Sequence, residues 1–327
     1  MYHGRLRGTY YEMGRSRGSA LYGVGFRMPP QEERRVRFAE ECEGEIAKVF
    51  PRILDELHGF AEGCHARYED VLSFIAGIGI WKPSPACSLF AAAGANGTIF
   101  GRNYDFFYSF ADYAEHIVLA PDGALSSAGD SDVFIGREDG VNEKGLAVGM
   151  SSVESKARGP GLNFGLAVRC ILDSCGSVQS ALDSVRRIHF STSTNYLLAD
   201  RSGAMAVAET SPERVRVREP KADERFLVAT NHFVHQDMAG QEDLGQRAPD
   251  SVQRFDAIAR VMAGARGDLT VGKAEAVLSD NGSSVCAHYD DIRLGTLWST
   301  VANLTARKLF LAEGHPCKAK YAEIPFP

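Results

Sequence analysis

The sequence predicts an α+β fold in which antiparallel sheets are covered by layers of helix. Three observations carry this. Strand-like segments come in blocks, helical segments are bunched at the start, once in the middle and once late, and neither βαβ alternation nor a repeat of about twenty residues runs along the 327 residues. Length alone allows one large domain or two smaller ones at about 150 residues each, and no Pro/Gly/Ser linker separates two halves.

Val36, Phe38, Ala39, Cys42, Ile46, Ala47 and Phe50 recur at helical spacing and predict a helix within Pro30 to Phe50. Pro51 restarts it, and Ile53, Leu54, Leu57, Phe60 and Ala61 continue the apolar stripe to Gly63. A third helix over Tyr68 to Ala76 completes a helical N-terminal region. Lys82-Pro83-Ser84-Pro85-Ala86 then reads as a restrained, extended connector, because each proline fixes its own φ and biases its predecessor away from α.

Cys87 to Ala93 and Thr98 to Phe106 read as a β-hairpin, with Asn96-Gly97 supplying positive φ in the turn. Strands are expected at His116 to Leu119, Val133 to Ile135 and Gly145 to Val153, followed by one helix over Leu166 to Ile188. Asn195 to Ala199, Ala204 to Glu209, Arg214 to Arg218 and Phe226 to Thr230 are further strands, the first two joined by an Arg201-Ser202-Gly203 turn. Helices over Ser251 to Met262 and Thr270 to Leu278 precede strands at Ser284 to His288, Gly295 to Leu304 and Leu309 to Ala312.

Composition excludes several functions. With 36 basic against 42 acidic side chains, interspersed, no basic stripe exists to track phosphates, so nucleic acid is not an expected partner. Ile75 to Trp81 and Leu89 to Ala93 fall far short of the roughly 18 apolar residues that span a bilayer. The cysteines at 42, 64, 87, 170, 175, 286 and 317 are odd in number and lack a repeated short spacing, and the start lacks a secretory pattern. These point to reduced thiols and a cytoplasmic protein.

A lone strand cysteine reads first as a small core hydrophobe. Cys87, however, heads a strand straight after a proline-rich connector, and its hairpin partner carries Arg102, Asn103 and Asp105. Asn103 and Asp105 share one face of that strand and Arg102 takes the other. A buried arginine or carboxylate costs several kcal/mol unless paired, so the hairpin holds either a structural ion pair or a working site.

At these residues the chain resembles a known family. Cys87-Ser88-Leu89-Phe90 followed by Gly101-Arg102-Asn103-Tyr104-Asp105-Phe106 is similar to the nucleophile strand and the Arg-Asn-x-Asp strand of the N-terminal-nucleophile (Ntn) amidases. The resemblance is strongest to the acyl-CoA:6-aminopenicillanic-acid acyltransferase family, the C45 peptidases, with bile-salt and penicillin V hydrolases more distant. Further matches are Tyr11-Glu12-Met13-Gly14-Arg15-Ser16-Arg17-Gly18, Leu57 to Gly63, Asp139 to Leu146, Asn195 to Asp200, Thr230-Asn231-His232-Phe233 and Gly314-His315-Pro316-Cys317.

The resemblance implies a four-layer αββα sandwich and a precursor cut between Ala86 and Cys87, leaving a propeptide or α-chain of residues 1–86 and a catalytic region of residues 87–327. Cys87 would then attack amide carbonyls, with its own α-amine, of ordinary pKa about 7.7 to 8.0, relaying the proton. Asp105 would hold that amine, Arg102 would favour the thiolate, and Asn231 would donate to the oxyanion. Arg254, in Ser251-Val252-Gln253-Arg254-Phe255, matches an active-site arginine of the distant hydrolases. Where those enzymes carry asparagine or tyrosine after the Asn-Glu-Lys-Gly-Leu segment, this chain has Ser151 and Ser152, so their specificity does not transfer.

Asn103, His232, Glu209 and Ser299 complete the expected pocket, each with a structural alternative as strand or turn polarity. His232 and His235 are three apart, but a strand runs into them, and His288, Asp290 and Asp291 offer no fixed third ligand; no metal is expected. Gly159, Gly161 and Gly165 lack the residues of a phosphate loop, and no cofactor is expected. The expected activity is hydrolysis of a small linear N-acyl compound through a Cys87 thioester. Interception of that thioester by an amine, with acyl-CoA as one conceivable donor, gives acyltransfer instead, and an unprocessed ligand-binding protein is the non-enzymatic alternative. Homo-oligomerisation stays open.

Overall fold

The computed structural model describes residues 1–81, 86–265 and 267–327. The connector expected over residues 82–86 therefore lies, except for Ala86, outside the described residues. The chain opens with strand β1 (Tyr2–Gly8) and helices α1 (Tyr10–Gly23), α2 (Glu33–Val49), α3 (Arg52–Gly63) and α4 (Tyr68–Ala76). Next come β2 (Ala86–Gly94), β3 (Gly97–Phe107), β4 (Glu115–Pro121), β5 (Ser127–Ser131), β6 (Asp139–Asn142) and β7 (Leu146–Ser152). Helices α5 (Phe164–Ser174) and α6 (Val178–Val185) lead to β8 (Thr194–Asp200), β9 (Met205–Thr210), β10 (Val215–Arg218) and β11 (Phe226–Ala229). After α7 (Ser251–Ala265) and α8 (Val271–Leu278), the chain ends in β12 (His288–Tyr289), β13 (Leu294–Asn303), β14 (Lys308–Glu313) and β15 (Ala322–Ile324).

The strands form two sheets. One has the order β1-β4-β5-β6-β7-β8-β9-β10, and the other runs β11-β2-β3-β13-β14-β15 with β12 on β13. They pack face to face where β2 meets β7 and β8. Helices α5 and α6 cover the first sheet, and α7 and α8 cover the second. This is the four-layer αββα sandwich of the Ntn hydrolases, and the central strands are buried on both faces, which is why they read as long apolar runs. Among the described residues, no helix is long and apolar enough to cross a membrane.

The helix limits expected over Tyr68 to Ala76 agree with α4, and the hairpin around Asn96-Gly97 is present, with Gly97 at φ +91°. Other elements differ. The N-terminal region is not purely helical, because β1 pairs with β4, in parallel, at the edge of the first sheet. The helix expected over Leu166 to Ile188 is two helices, since Ser177 caps α6 through Ser180 and ends the run at Cys175 and Gly176. Val133 to Ile135 is not a strand: Phe134 takes φ +59° and packs against Phe26, Phe60 and Phe74. Ser284 to His288 is mostly loop, and strands β6 and β15 carry too few apolar residues to stand out.

Helix α1 starts in a Thr9/Glu12 capping box and crosses α3 at glycines on both sides. A Cβ on Gly14 would lie 2.0 Å from the Glu56 carbonyl oxygen, and one on Gly59 would lie 2.0 Å from that of Tyr11. Gly18 and Gly63 are equally closed, at 2.4 Å from the Phe60 oxygen and 2.2 Å from the Arg15 oxygen. Backbone meets backbone here, so no side-chain rotation relieves an added methyl. Gly59→Ala is expected to lower unfolding stability by about 1 to 3 kcal/mol or more in a urea titration. Gly44→Ala, on the open face of α2 with nothing nearby, should instead gain up to about 1 kcal/mol. Equal midpoints for the two variants would contradict this helix contact.

Candidate active site

In the β2/β3 ladder Ala86 stands opposite Asp105, Cys87 opposite Tyr104 and Ser88 opposite Asn103. Residues directly opposite share a face, so Cys87 and Arg102 look inward toward the first sheet while Ser88, Asn103 and Asp105 look out toward α7 and α8. Two chemical faces thus meet at the first residues of one strand.

On the inner face, Arg102 is fully buried. Its Nη2 donates to Cys87 Sγ at 3.2 Å and to the Met150 carbonyl at 3.4 Å, and its Nη1 pairs with Asp139 on β6. Asp139 Oδ2 also accepts from Trp298 Nε1 at 3.3 Å. Burial opposes the guanidinium charge, but the adjacent thiol and Asp139 more than offset it and hold the Arg102 pKa above its ordinary value.

On the outer face, Arg254 of α7 is also fully buried and ties three groups together. Its Nη1 donates to the Cys87 carbonyl at 2.6 Å and to Ser88 Oγ at 2.8 Å, and its Nη2 donates to Asn231 Oδ1 at 2.8 Å. Asp105 Oδ2 lies 3.9 Å from Nη1, and Asp105 Oδ1 accepts from Thr296 Oγ1 at 2.6 Å. Burial pushes the Asp105 carboxyl up to about 6, against the pull of Arg254.

Asn231, just after β11, closes the group. Its Oδ1 accepts from Cys87 N at 3.0 Å as well as from Arg254, which turns Nδ2 the other way, toward the Ser152 carbonyl at 2.9 Å. The flanking backbone is held on both sides. Asn195 Nδ2 donates to the Thr230 carbonyl at 2.8 Å and the His232 carbonyl at 3.0 Å, and Ser151 Oγ donates to the Thr230 carbonyl at 2.6 Å. Cys87 itself is wholly buried, and burial pushes its thiol up to about 11 although Arg102 lowers it.

The structure therefore brings Cys87, Arg102, Asp105, Asn231 and Arg254 into one group. Asn103 lies behind it, its Nδ2 donating to the Leu278 and Val285 carbonyls at 2.8 and 2.7 Å. Ser299 sits on β13, donating to the Arg102 carbonyl at 3.2 Å. Glu209 accepts from the Val234 and His235 N–H groups at 3.0 Å each and pairs with Arg218, which fixes the loop after Asn231. His232 Nδ1 lies 2.8 Å from Ser251 Oγ, and burial with Arg247 nearby lowers its pKa to about 4. His235 caps Asp237 N instead of facing His232. Asp139, Asn195 and Thr296 join the group without a role expected from the sequence, although the first two open the segments Asp139 to Leu146 and Asn195 to Asp200.

Beside Tyr104, opposite Cys87, lies a cavity of about 270 Å³ whose wall includes Phe26, Phe74, Phe106, Tyr113, Phe134 and Phe164. Among the described residues that line it, Asp132 is the one carboxyl group, and it accepts from Tyr104 Oη at 2.8 Å.

The profile of the acyl-coenzyme A:6-aminopenicillanic acid acyl-transferase family matches residues 92–318. The chain belongs to this family. The match takes in Arg102, Asp105, Asp139, Asn231 and Arg254 and begins just after Cys87. Membership in the acyltransferase family makes the protein an enzyme of the Ntn-hydrolase and acyltransferase type. A search of curated protein sequences returns no match. Two solved variants of the conjugated bile acid hydrolase from Clostridium perfringens are each 15% identical, with a TM-score of 0.57, covering 73% of this chain and 92% of theirs. Penicillin V acylase from Agrobacterium tumefaciens is 18% identical with a TM-score of 0.51, covering 73% of this chain and 86% of its own. These likenesses carry the fold.

Proposed function

We propose that the chain is a precursor whose Ala86–Cys87 bond is cut by the Cys87 thiol, and that the product is a cysteine amidase for small linear N-acyl compounds. The observation that carries this is the threefold hold on Cys87: Sγ by Arg102 at 3.2 Å, the amide nitrogen by Asn231 at 3.0 Å and the carbonyl by Arg254 at 2.6 Å. Any buried residue needs partners for its backbone N–H and C=O, but an inert strand cysteine takes them from neighbouring backbone and has no need of a guanidinium at its sulfur; here side chains hold all three positions.

In processing, Sγ adds to the Ala86 carbonyl carbon and the C–N bond breaks. The nitrogen takes the proton, and water cleaves the resulting thioester to give chains 1–86 and 87–327. In turnover the freed α-amine accepts the thiol proton, Sγ forms a thioester with the substrate acyl group as the C–N bond breaks, the amine passes the proton to the leaving nitrogen, and water then cleaves the thioester to release the acid and restore the thiol. Asp105 holds the α-ammonium, Arg102 favours the thiolate, Asn231 Nδ2 donates to the oxyanion, and Arg254 fixes the Cys87 backbone. Asn103, Glu209 and Ser299 brace the walls, and His232 borders the loop of Asn231. The aromatic cavity beside Tyr104 suits an apolar part of the substrate. Reduced, free thiols fit a cytoplasmic setting.

Intact-mass analysis and N-terminal sequencing test the cut directly, with a new N-terminus at Cys87 expected. Acyl transfer is a second reading, favoured by the description of the matched family. Incubation of the cut enzyme with an N-acyl donor, with and without an added amine, separates the two: free acid marks hydrolysis and a new amide marks transfer.

The rate of processing carries a pH signature. With the thiol up at about 11, the reactive thiolate fraction grows about tenfold per pH unit throughout the neutral range. The logarithm of the cleavage rate should therefore climb with a slope of about one across the neutral range. Asp105 holds an amine that exists only after the cut, so its break belongs to turnover: with Asp105 at about 6, its carboxylate is lost as pH falls through that value, and turnover should fall with it. A turnover break near pH 6 surviving in Asp105→Asn would remove Asp105 from that role.

A further inference from the structure

We infer that Cys286, His288 and Cys317 bind a zinc-type divalent cation at a site separate from Cys87, and that this site braces the Thr296–Asp105 hydrogen bond. The sequence carries a mirrored pattern, Cys286-Ala287-His288 ahead of β13 and His315-Pro316-Cys317 after β14. Pairing of β13 with β12 and β14 brings the two halves of the pattern together at one end of the second sheet. The ligand atoms of Cys286, His288 and Cys317 all lie within 4.8 Å of one another.

Their spacing fits a tetrahedral ion. Metal–sulfur and metal–nitrogen bonds of about 2.3 and 2.05 Å at the tetrahedral angle place S and N about 3.6 Å apart. His288 Nε2 lies 3.5 Å from Cys286 Sγ and 3.1 Å from Cys317 Sγ. The His315 ring stacks on His288 at 3.9 Å and 22°, which fixes the imidazole plane with Nε2 toward the sulfurs. Two thiolates and an imidazole select a borderline-soft cation over magnesium or calcium. Cys286 is buried and Cys317 exposed, so a cation has access from solvent and a water can take the fourth position. Binding releases both thiol protons to bulk water. A Cys286–Cys317 disulfide would use the same two sulfurs but gives the oriented imidazole nothing to do.

Ala287, the residue between two of the ligands, connects the site to Asp105. Its N–H donates to Thr296 Oγ1 at 2.9 Å, and its carbonyl accepts from Thr296 N at 3.1 Å. Because Oγ1 already accepts from Ala287, its single hydrogen is directed to Asp105 Oδ1 at 2.6 Å. Chelation by Cys286 and His288 would clamp Ala287 and so fix that hydroxyl.

The test is titration of the reduced, chelator-treated full chain with cobalt(II), followed by absorption. One equivalent should bind, with a thiolate-to-cobalt charge-transfer band and the visible bands of tetrahedral cobalt, and zinc should bleach both. Cys317→Ser, at an exposed position, should cut cobalt affinity by at least about 10-fold and weaken the charge-transfer band, and His288→Gln should do the same to affinity. Absence of tetrahedral bands, or bands unchanged in Cys317→Ser, would overturn the site. A non-reduced protein whose mass is lower by two hydrogens, with Cys286 and Cys317 linked in one peptide pair, would assign the sulfurs to a disulfide and overturn it as well. None of these readouts depends on cleavage at Cys87.

Discussion

Cys87→Ala is expected to yield one uncut chain of 327 residues by intact mass, and turnover lower by about 10⁴-fold or more. No neighbour can replace the thiol. Ser88, the next residue, faces the opposite layer and its Oγ is held by Arg254 at 2.8 Å. Among the other buried cysteines, Cys42 contacts Gly161 N, Cys170 contacts the Val49 carbonyl, and Cys286, although within electrostatic reach of Asp105, has its Sγ 3.5 Å from His288 Nε2. Alanine keeps the backbone hydrogen bonds of residue 87 to Asn231 and Arg254, so the variant isolates the sulfur from the architecture. Continued cleavage between 86 and 87 in this variant would sink autoprocessing. Cys87→Ser should cut slowly, since a hydroxyl is a weaker nucleophile than a thiol but occupies the same place.

Much of this site could be read from residues that are neighbours in sequence. The alternation of Arg102, Asn103 and Asp105 already assigned them to two faces, because the period of a strand is two, and the ladder opposite Ala86 to Ser88 keeps that assignment. What lies across the sandwich was not readable in the same way. Asp139 is 37 residues from Arg102 and belongs to the other sheet, and Asn195 reaches the Thr230 carbonyl from 35 residues away. Periodicity tells which face a residue takes but not which residue of a facing sheet it meets. Thr296 was hidden for a further reason: β13 changes register between Thr296 and Trp298, so counting alternate positions along it misassigns the face. The misread segment at Val133 to Ile135 shows the converse, an apolar triplet that looks like a short strand but serves as cavity wall because Phe134 leaves the extended region. The Cys286-Ala287-His288 and His315-Pro316-Cys317 segments give no metal expectation from the sequence, because their convergence depends on how β13 and β14 pair.

Asn231→Ala should lower kcat by roughly 10²- to 10³-fold while leaving KM near its original value, a loss of about 3 to 4 kcal/mol in the transition state. Orientation sets this loss. Arg254 and the Cys87 nitrogen both donate to Oδ1, so the amide cannot turn, and Nδ2 is presented in a fixed direction before any substrate arrives. A preset donor stabilises charge that develops only as the carbonyl is attacked, which is why the loss belongs in kcat. Ser151→Ala gives the matching control. It removes one bond to the Thr230 carbonyl, which Asn195 still holds at 2.8 Å, so a much smaller loss of about 1 kcal/mol is expected. A rise in KM at constant kcat for Asn231→Ala would instead make Asn231 a ground-state anchor for the substrate, and the oxyanion role would pass to another group. The same variant should also process more slowly, because the Ala86 carbonyl must pass through the same tetrahedral charge that a substrate carbonyl does, and a variant that processes at full rate yet turns over slowly would show that the two reactions use different donors.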